Sequence, residues 1–212
     1  MFVELIEALR CPRPHEDAQL VASATRTEAR HIVDGVLGCP VCGAEFPIAN
    51  GVAHFGEPAR RASDDDPDAE IAMRLAAFLE LTDARGFVLL CGRWAAHADG
   101  IHQLADTQLV LVNPPPSVPG DIASGVIVTR DVVPFAPEVV RAAALDDGGS
   151  RAFIASAVRA VRAGGRLVGP ASLALPDRTT QLVRDERMWV AEKSATPETS
   201  APRLVSIRKA SH

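Results

Sequence analysis

The apolar positions of the chain change their spacing near residue 86. From there to residue 170 they gather into short unbroken runs, GFVLLCG (86–92), TQLVLVN (107–113), GVIVTRD (125–131), VVRAAALDD (139–147) and GRLVGP (165–170), each closed by Gly, Pro, Asn or Asp. Runs of this length without polar alternation suit strands buried on both faces, as in a parallel sheet. Between the last two, SRAFIASAVRAVRAGG sets Phe153, Ile154, Ala157, Val158 and Val161 on one side of a helix and offers Gly164 and Gly165 as its stop. A further helix is predicted to start at Pro67, after Asp66, with Ile71, Leu75, Phe78 and Leu79 at helical spacing. Strand and helix alternate, so the expected class is α/β with a mostly parallel sheet. Near the C-terminus ERMWVAEK (186–193) and PRLVSIRKA (202–210) alternate in period two across the polar stretch SATPETSAP, predicting a closing antiparallel hairpin.

Upstream of this region the pattern is different. EPARRASDDDPDAE, from residue 57, is polar and acidic with two prolines, which predicts a linker over 57–69 between a small unit, 1–56, and a larger one, 70–212. A segment as short as 1–56 holds little core of its own and calls for a metal or a docking surface. Its chemistry centres on Cys39-Pro-Val-Cys42. In a redox pair the second cysteine would open an apolar helix, but here Gly43 and the strand-like AEFPI follow. A turn of this kind presents two thiolates to one zinc ion without strain. Cys11 and His15 complete a candidate Cys3His set, although Pro14 stands where a second CxxC would have its cysteine. His31 is an alternative fourth ligand, and a metal-free cluster of small buried thiols is the other reading.

Composition narrows the classes. A net charge of −5 leaves no basic footprint for nucleic acid. The start MFVELIEALRCP lacks the cationic opening of a signal peptide, and no apolar run nears the roughly 20 residues of a membrane helix. A cytoplasmic location is therefore expected, with the four cysteines as thiols or ligands rather than disulfides.

The stretch LIEALRCP…VDGVLGCPVCGAEFPIANGVAHF, residues 3 to about 55, resembles the small zinc-binding activator subunit of tRNA and protein methyltransferases, with Phe46 at its aromatic position and Gly51-Val52 at its end. That resemblance implies a zinc-ribbon-like β domain that docks on a methyltransferase. AFIASAVRAVRAGGRLVGP is similar to the fifth-strand region of class I S-adenosylmethionine-dependent methyltransferases, where Arg159, Val161, Gly164, Gly165 and Leu167 fall on the pattern and Ala163 replaces a usual proline. TRDVVPFAPE resembles the acidic segment of the same family, which implies that Asp131 lies near the adenine. Over residues 70 to 210 the implied fold is a Rossmann-like methyltransferase sheet with an antiparallel last strand.

The cofactor loop departs from that family. Of its Gly-x-Gly only Gly92 remains, followed by Arg93 and Trp94, and the second strand ends in Asn113 where a carboxylate for the ribose is expected. Gly92, Asn113 and Asp131 are thus candidate, vestigial cofactor contacts. NPPP (113–116) reads as a rigid turn, Cys91 as a buried thiol, His97 and His102 as polar surface, and Asp146-Asp147 as the cap of a strand. Three functions compete. One is a non-catalytic methyltransferase-like scaffold or partner-binding subunit with a structural zinc, whose partner is another protein, a methyltransferase or a second copy. Another is an active S-adenosylmethionine-dependent methyltransferase with its activator in cis. The last is a simple zinc-dependent interaction module.

Overall fold

The computed structural model describes residues 1–58, 62, 66–82, 86–118 and 124–195. A short helix α1 (Leu5–Ala8) precedes strands β1 (Val21–Glu28), β2 (His31–Gly38), β3 (Glu45–Ala49) and β4 (Val52–His54). Helix α2 (Ala69–Phe78) leads to β5 (Phe87–Cys91), a 3-10 turn (Gly92–His97), α3 (Ala98–Leu104), β6 (Gln108–Val112) and β7 (Ser124–Val128). Then come β8 (Val140–Ala144), α4 (Arg151–Ala160), β9 (Arg166–Pro170), β10 (Thr179–Arg184) and β11 (Met188–Lys193).

The described strands form one sheet in the order β1-β2-β3-β4-β7-β6-β5-β8-β9-β11-β10. From β4 to β9 neighbouring strands are parallel, and β11 runs antiparallel between β9 and β10. The five apolar runs are β5 to β9, and the mixed, Rossmann-like sheet expected for residues 70–212 is present. The chain winds outward from β5 through β6 to β7, then returns to the other side of β5 as β8. Between β5 and β8 the winding reverses, and open α/β sheets bind ligands at the carboxyl ends of the strands flanking such a point.

Alternate residues of each central strand feed two cores. Leu89 and Cys91 of β5 face α4 and the N-terminal segment, while Val88 and Leu90 face α2 and α3. Helix α2 is capped by the Asp68 carboxylate, which accepts from the Glu70 and Ile71 N–H groups, and buries Ala72 and Leu75. Helix α4 is capped by the Ser150 hydroxyl. It stops at Ala160, before the expected glycines, because Val161 turns extended and bridges Val140.

The N-terminal segment is built onto this sheet. β4 pairs in parallel with β7, Val52 opposite Val126 and His54 opposite Val128. The Arg10 N–H donates to Pro134 O and the Ala136 N–H to Ala8 O, each at 2.8 Å. Phe2, Leu5 and Leu9 thereby join the same core as Val110, Ile127 and Phe135.

The closing hairpin requires a correction. Its inner strand, β11, is the expected one, but its partner is β10, not residues 202–210, which lie outside the described residues. β10, TTQLVR, is an edge strand exposed along almost its whole length, with Leu182 and Val183 both in solvent, so no buried face leaves an apolar alternation to read. Residues 59–61 and 63–65 of the expected linker also lie outside the described residues. No helix among the described residues is long and apolar enough to cross a membrane.

Candidate metal centre and ligand crevice

Two turns bring the metal candidates together. In the first, the Cys39 N–H donates to Ala44 O and the Gly43 N–H to Cys39 O, and Gly43 adopts φ 67° so that the chain can double back after Cys42. In the second, the Cys11 N–H donates to Ala18 O, which folds residues 11–18 so that Cys11 and His15 meet the first turn. The Sγ atoms of Cys11, Cys39 and Cys42 and a His15 ring nitrogen all lie within 4.8 Å of one another. Cys11 Sγ to Cys42 Sγ is 3.8 Å, and Cys39 Sγ to His15 Nε2 is 3.5 Å. A zinc tetrahedron with Zn–S near 2.3 Å and Zn–N near 2.0 Å has edges of about 3.8 Å (S to S) and about 3.5 Å (S to N), so both separations fit a shared ion. His15 Nδ1 lies 2.5 Å from Glu16 O, a contact that places the ring proton there and leaves the Nε2 lone pair for a metal. Burial opposes the Cys39 thiolate, but the N–H groups of Cys42 and Val41 and the neighbouring thiols outweigh it and bring Cys39 down to about 7, while burial pushes Cys11 up to about 11. This four-residue cluster fits a zinc site. His31, the alternative ligand, is elsewhere, with its ring 4.9 Å from that of Phe2.

The crevice between β5 and β8 is organised in the opposite way. Gly92 has φ 60°, and a Cβ there would stand 2.1 Å from Asp146 Oδ2. The close backbone approach that this glycine allows is therefore made by the chain's own carboxylate. Arg93 follows, and its guanidinium reaches across the reversal point, Nε to Asp146 Oδ1 at 2.8 Å and Nη2 to Asp147 Oδ1 at 2.5 Å. The Arg93 N–H also donates to Asp146 Oδ2 at 3.3 Å, and Trp94 Nε1 donates to Leu145 O at 2.8 Å. The Ser172 hydroxyl, with Arg93 beside it, holds the Asp147 carboxyl below the usual carboxylate range. Cys91 is fully buried, and that burial, with Asp146 beside it, pushes its thiol well up and leaves it without nucleophilic character.

Asn113 is likewise occupied. Its Oδ1 accepts from the Thr129 N–H at 2.8 Å and its Nδ2 donates to Thr129 O at 2.9 Å, which ties the end of β6 to the end of β7. Gly92 and Asn113 line the same small cavity, with Asp146, Arg130 and Phe153 also around it, and its volume is 20 Å³. That is room for about one water, whereas small-molecule sites span roughly 300–1,000 Å³. Asp131 is exposed and does not line this cavity.

Asp146 and Asp147 are the residues that sequence reasoning undervalued. They do more than cap a strand, and their available signal was a pair of acids just after the strand at which the winding reverses. His97 also corrects its reading as surface: it is 2% exposed, and its Nδ1 accepts from the Asp68 N–H at 3.2 Å. His102 lies 3.1 Å from the Ser124 hydroxyl. NPPP does form a turn, closed by the Val118 N–H on Pro115 O.

No known protein-family profile matches the sequence, and no curated protein matches it. Solved structures do. The mycinamycin-pathway methyltransferase MycE, solved with S-adenosylhomocysteine, is 14% identical with a TM-score of 0.46, over 68% of this chain and 53% of its own. A putative S-adenosylmethionine-dependent methyltransferase from Methanococcus maripaludis is 9% identical with a TM-score of 0.41, over 62% of this chain and 87% of its own. Geranyl diphosphate C-methyltransferase from Streptomyces coelicolor A3(2) is 16% identical with a TM-score of 0.40, over 55% and 54%. The chain thus spans about half the length of the geranyl diphosphate methyltransferases that it matches. These neighbours are named as methyltransferases, and likeness at this level leaves the strand order to stand on its own.

Proposed function

We propose that the protein is a non-catalytic, methyltransferase-like scaffold or partner-binding subunit, in which residues 1–56 form a zinc-ribbon-like module of the activator type on the edge of a Rossmann-like unit, 70–212. The single observation behind the non-catalytic reading is the crevice at the reversal point, which the chain fills with its own Arg93, Asp146 and Asp147. A sulfonium cofactor needs glycine backbone and a ribose carboxylate in this place, and the chain supplies a guanidinium clamp and an asparagine already bonded to Thr129. Zinc in this reading is structural, held by Cys11, His15, Cys39 and Cys42 with no open position, since four protein ligands complete the tetrahedron. The partner is another protein, a methyltransferase or a second copy. Calorimetric titration of the purified chain with S-adenosylmethionine tests the proposal: no heat of binding at millimolar ligand is expected, and a micromolar dissociation constant would overturn it in favour of an active methyltransferase with its activator in cis.

A further inference from the structure

β9 and β10 both run antiparallel to β11 and are therefore parallel to each other. Parallel strands of one sheet are usually joined by a crossover of a dozen or more residues carrying a helix. Here the connection is residues 171–178, which hold no helix. Among the described residues no helix covers the flank of the sheet beside α4, and a cavity of 840 Å³ opens between α4 and this connection. Its size is that of a small-molecule site.

The walls are fixed. Trp189 Nε1 donates to Leu173 O at 2.8 Å, the Thr179 hydroxyl to Pro176 O at 2.6 Å, and the Ser194 N–H to Arg178 O at 2.9 Å. The floor is apolar, made by Ile154 and Val158 of α4 with Leu173 and Leu175 of the connection. The rim carries Arg151, Arg159 and Arg178. Arg151 faces Asp177 at 3.6 Å, and Lys193 beneath is engaged by Val161 O, Arg159 O and Glu138. Arg159 donates only to the carbonyl of Phe135, and Arg178 has no ion-pair partner among the described residues. Glu138 and Asp177 also line the cavity and face Lys193 and Arg151, so among the described residues Arg159 and Arg178 stand over the apolar slot without a carboxylate in ion-pair distance.

We propose that this cavity binds a long-chain carboxylate, its aliphatic part among Ile154, Val158, Leu173 and Leu175 and its head group on Arg159 and Arg178. The proposal is independent of the zinc module and of the closed crevice. Ile154 and Val158 are only 8% and 4% exposed, so the apolar floor is recessed within the cavity and is not an open helix face.

The test is a fluorescence titration of the full chain with a dansyl-labelled undecanoic acid, followed by displacement with palmitate, hexadecanol and hexadecyltrimethylammonium below their micelle concentrations. Palmitate is expected to displace the probe with a dissociation constant on the order of 1 μM, and the alcohol and the cation about tenfold less well or worse. Arg178→Glu should weaken palmitate about tenfold, and Ala155→Trp, at an exposed α4 position on the cavity wall, should abolish binding while leaving the thermal midpoint in place. No probe binding at 100 μM, equal displacement by the cation, or unchanged affinity in a folded Ala155→Trp protein would each overturn the proposal.

Discussion

The cysteine cluster and the β5–β8 crevice sit in one molecule and handle polar groups in opposite ways. At Cys11, His15, Cys39 and Cys42, four donor atoms converge within 4.8 Å. At the crevice Arg93 is bonded to Asp146 and Asp147, and Asn113 to Thr129, all within the chain itself. Thiolates this close would repel one another, and a shared cation is what would hold them together. The crevice groups, by contrast, are already bonded within the chain. The difference teaches that a residue at a family's site position is informative only together with what it already holds.

The strongest way to break this comparison is to remove the metal. Cys42→Ser, or a strong chelator, should destabilise the protein by more than roughly 5 kcal/mol and uncouple β1–β4 from the sheet, because the binding energy of a structural zinc is folding energy. Thermal melts with and without chelator check this, together with elemental analysis of one zinc per chain, and an unchanged midpoint would leave the cluster a set of metal-free thiols. Next is a pair of glycines that share a positive φ. Gly92→Ala places a methyl on Asp146 and should cost about 2–4 kcal/mol, whereas Gly43→Ala, with open space around it, should cost about 1 kcal/mol; urea unfolding of both separates the clash from the backbone strain. Equal losses would mean that the carboxylate moves freely.

Arg93→Ala is expected to cost about 1.5–3 kcal/mol, the range for hydrogen bonds to charged groups, and to give no cofactor binding, since Asn113 stays engaged. The smallest effect is a pH dependence. Because the folded-state pKa of Asp147 is depressed, its contribution is complete at neutral pH and is lost as pH falls through about 4 toward the lower folded value. The stability difference between Arg93→Ala and the wild type should therefore shrink over that interval in acid-unfolding curves, and a constant difference would remove Asp147 from the clamp.

What could be read in the sequence followed burial. The runs that became β5 to β9 are apolar because both faces are covered, and α4 declared itself through Phe153, Ala157 and Val158. β10 was invisible because neither of its faces is buried. At the cysteine cluster, CxxC spacing pointed to Cys39 and Cys42, but the choice between His15 and His31 rests on how residues 11–18 fold back, which no spacing records. The clamp was harder still, since Arg93 and Asp146 lie 53 positions apart and meet only through the pairing of β5 with β8. The parallel junction of β4 with β7 had no local sign at all.

That junction also orders the assembly of the molecule in time. Val52 cannot pair until Val126 has been made, and β7 in turn needs β6 and β5 already beside it. The cysteine turns close over short distances and form early, while Phe2, Leu5 and Ile48 wait for their cover. A nascent or truncated chain ending before residue 124 therefore displays an unpaired β4 edge and a bare apolar face, and it is this species that chaperones or aggregation would meet first.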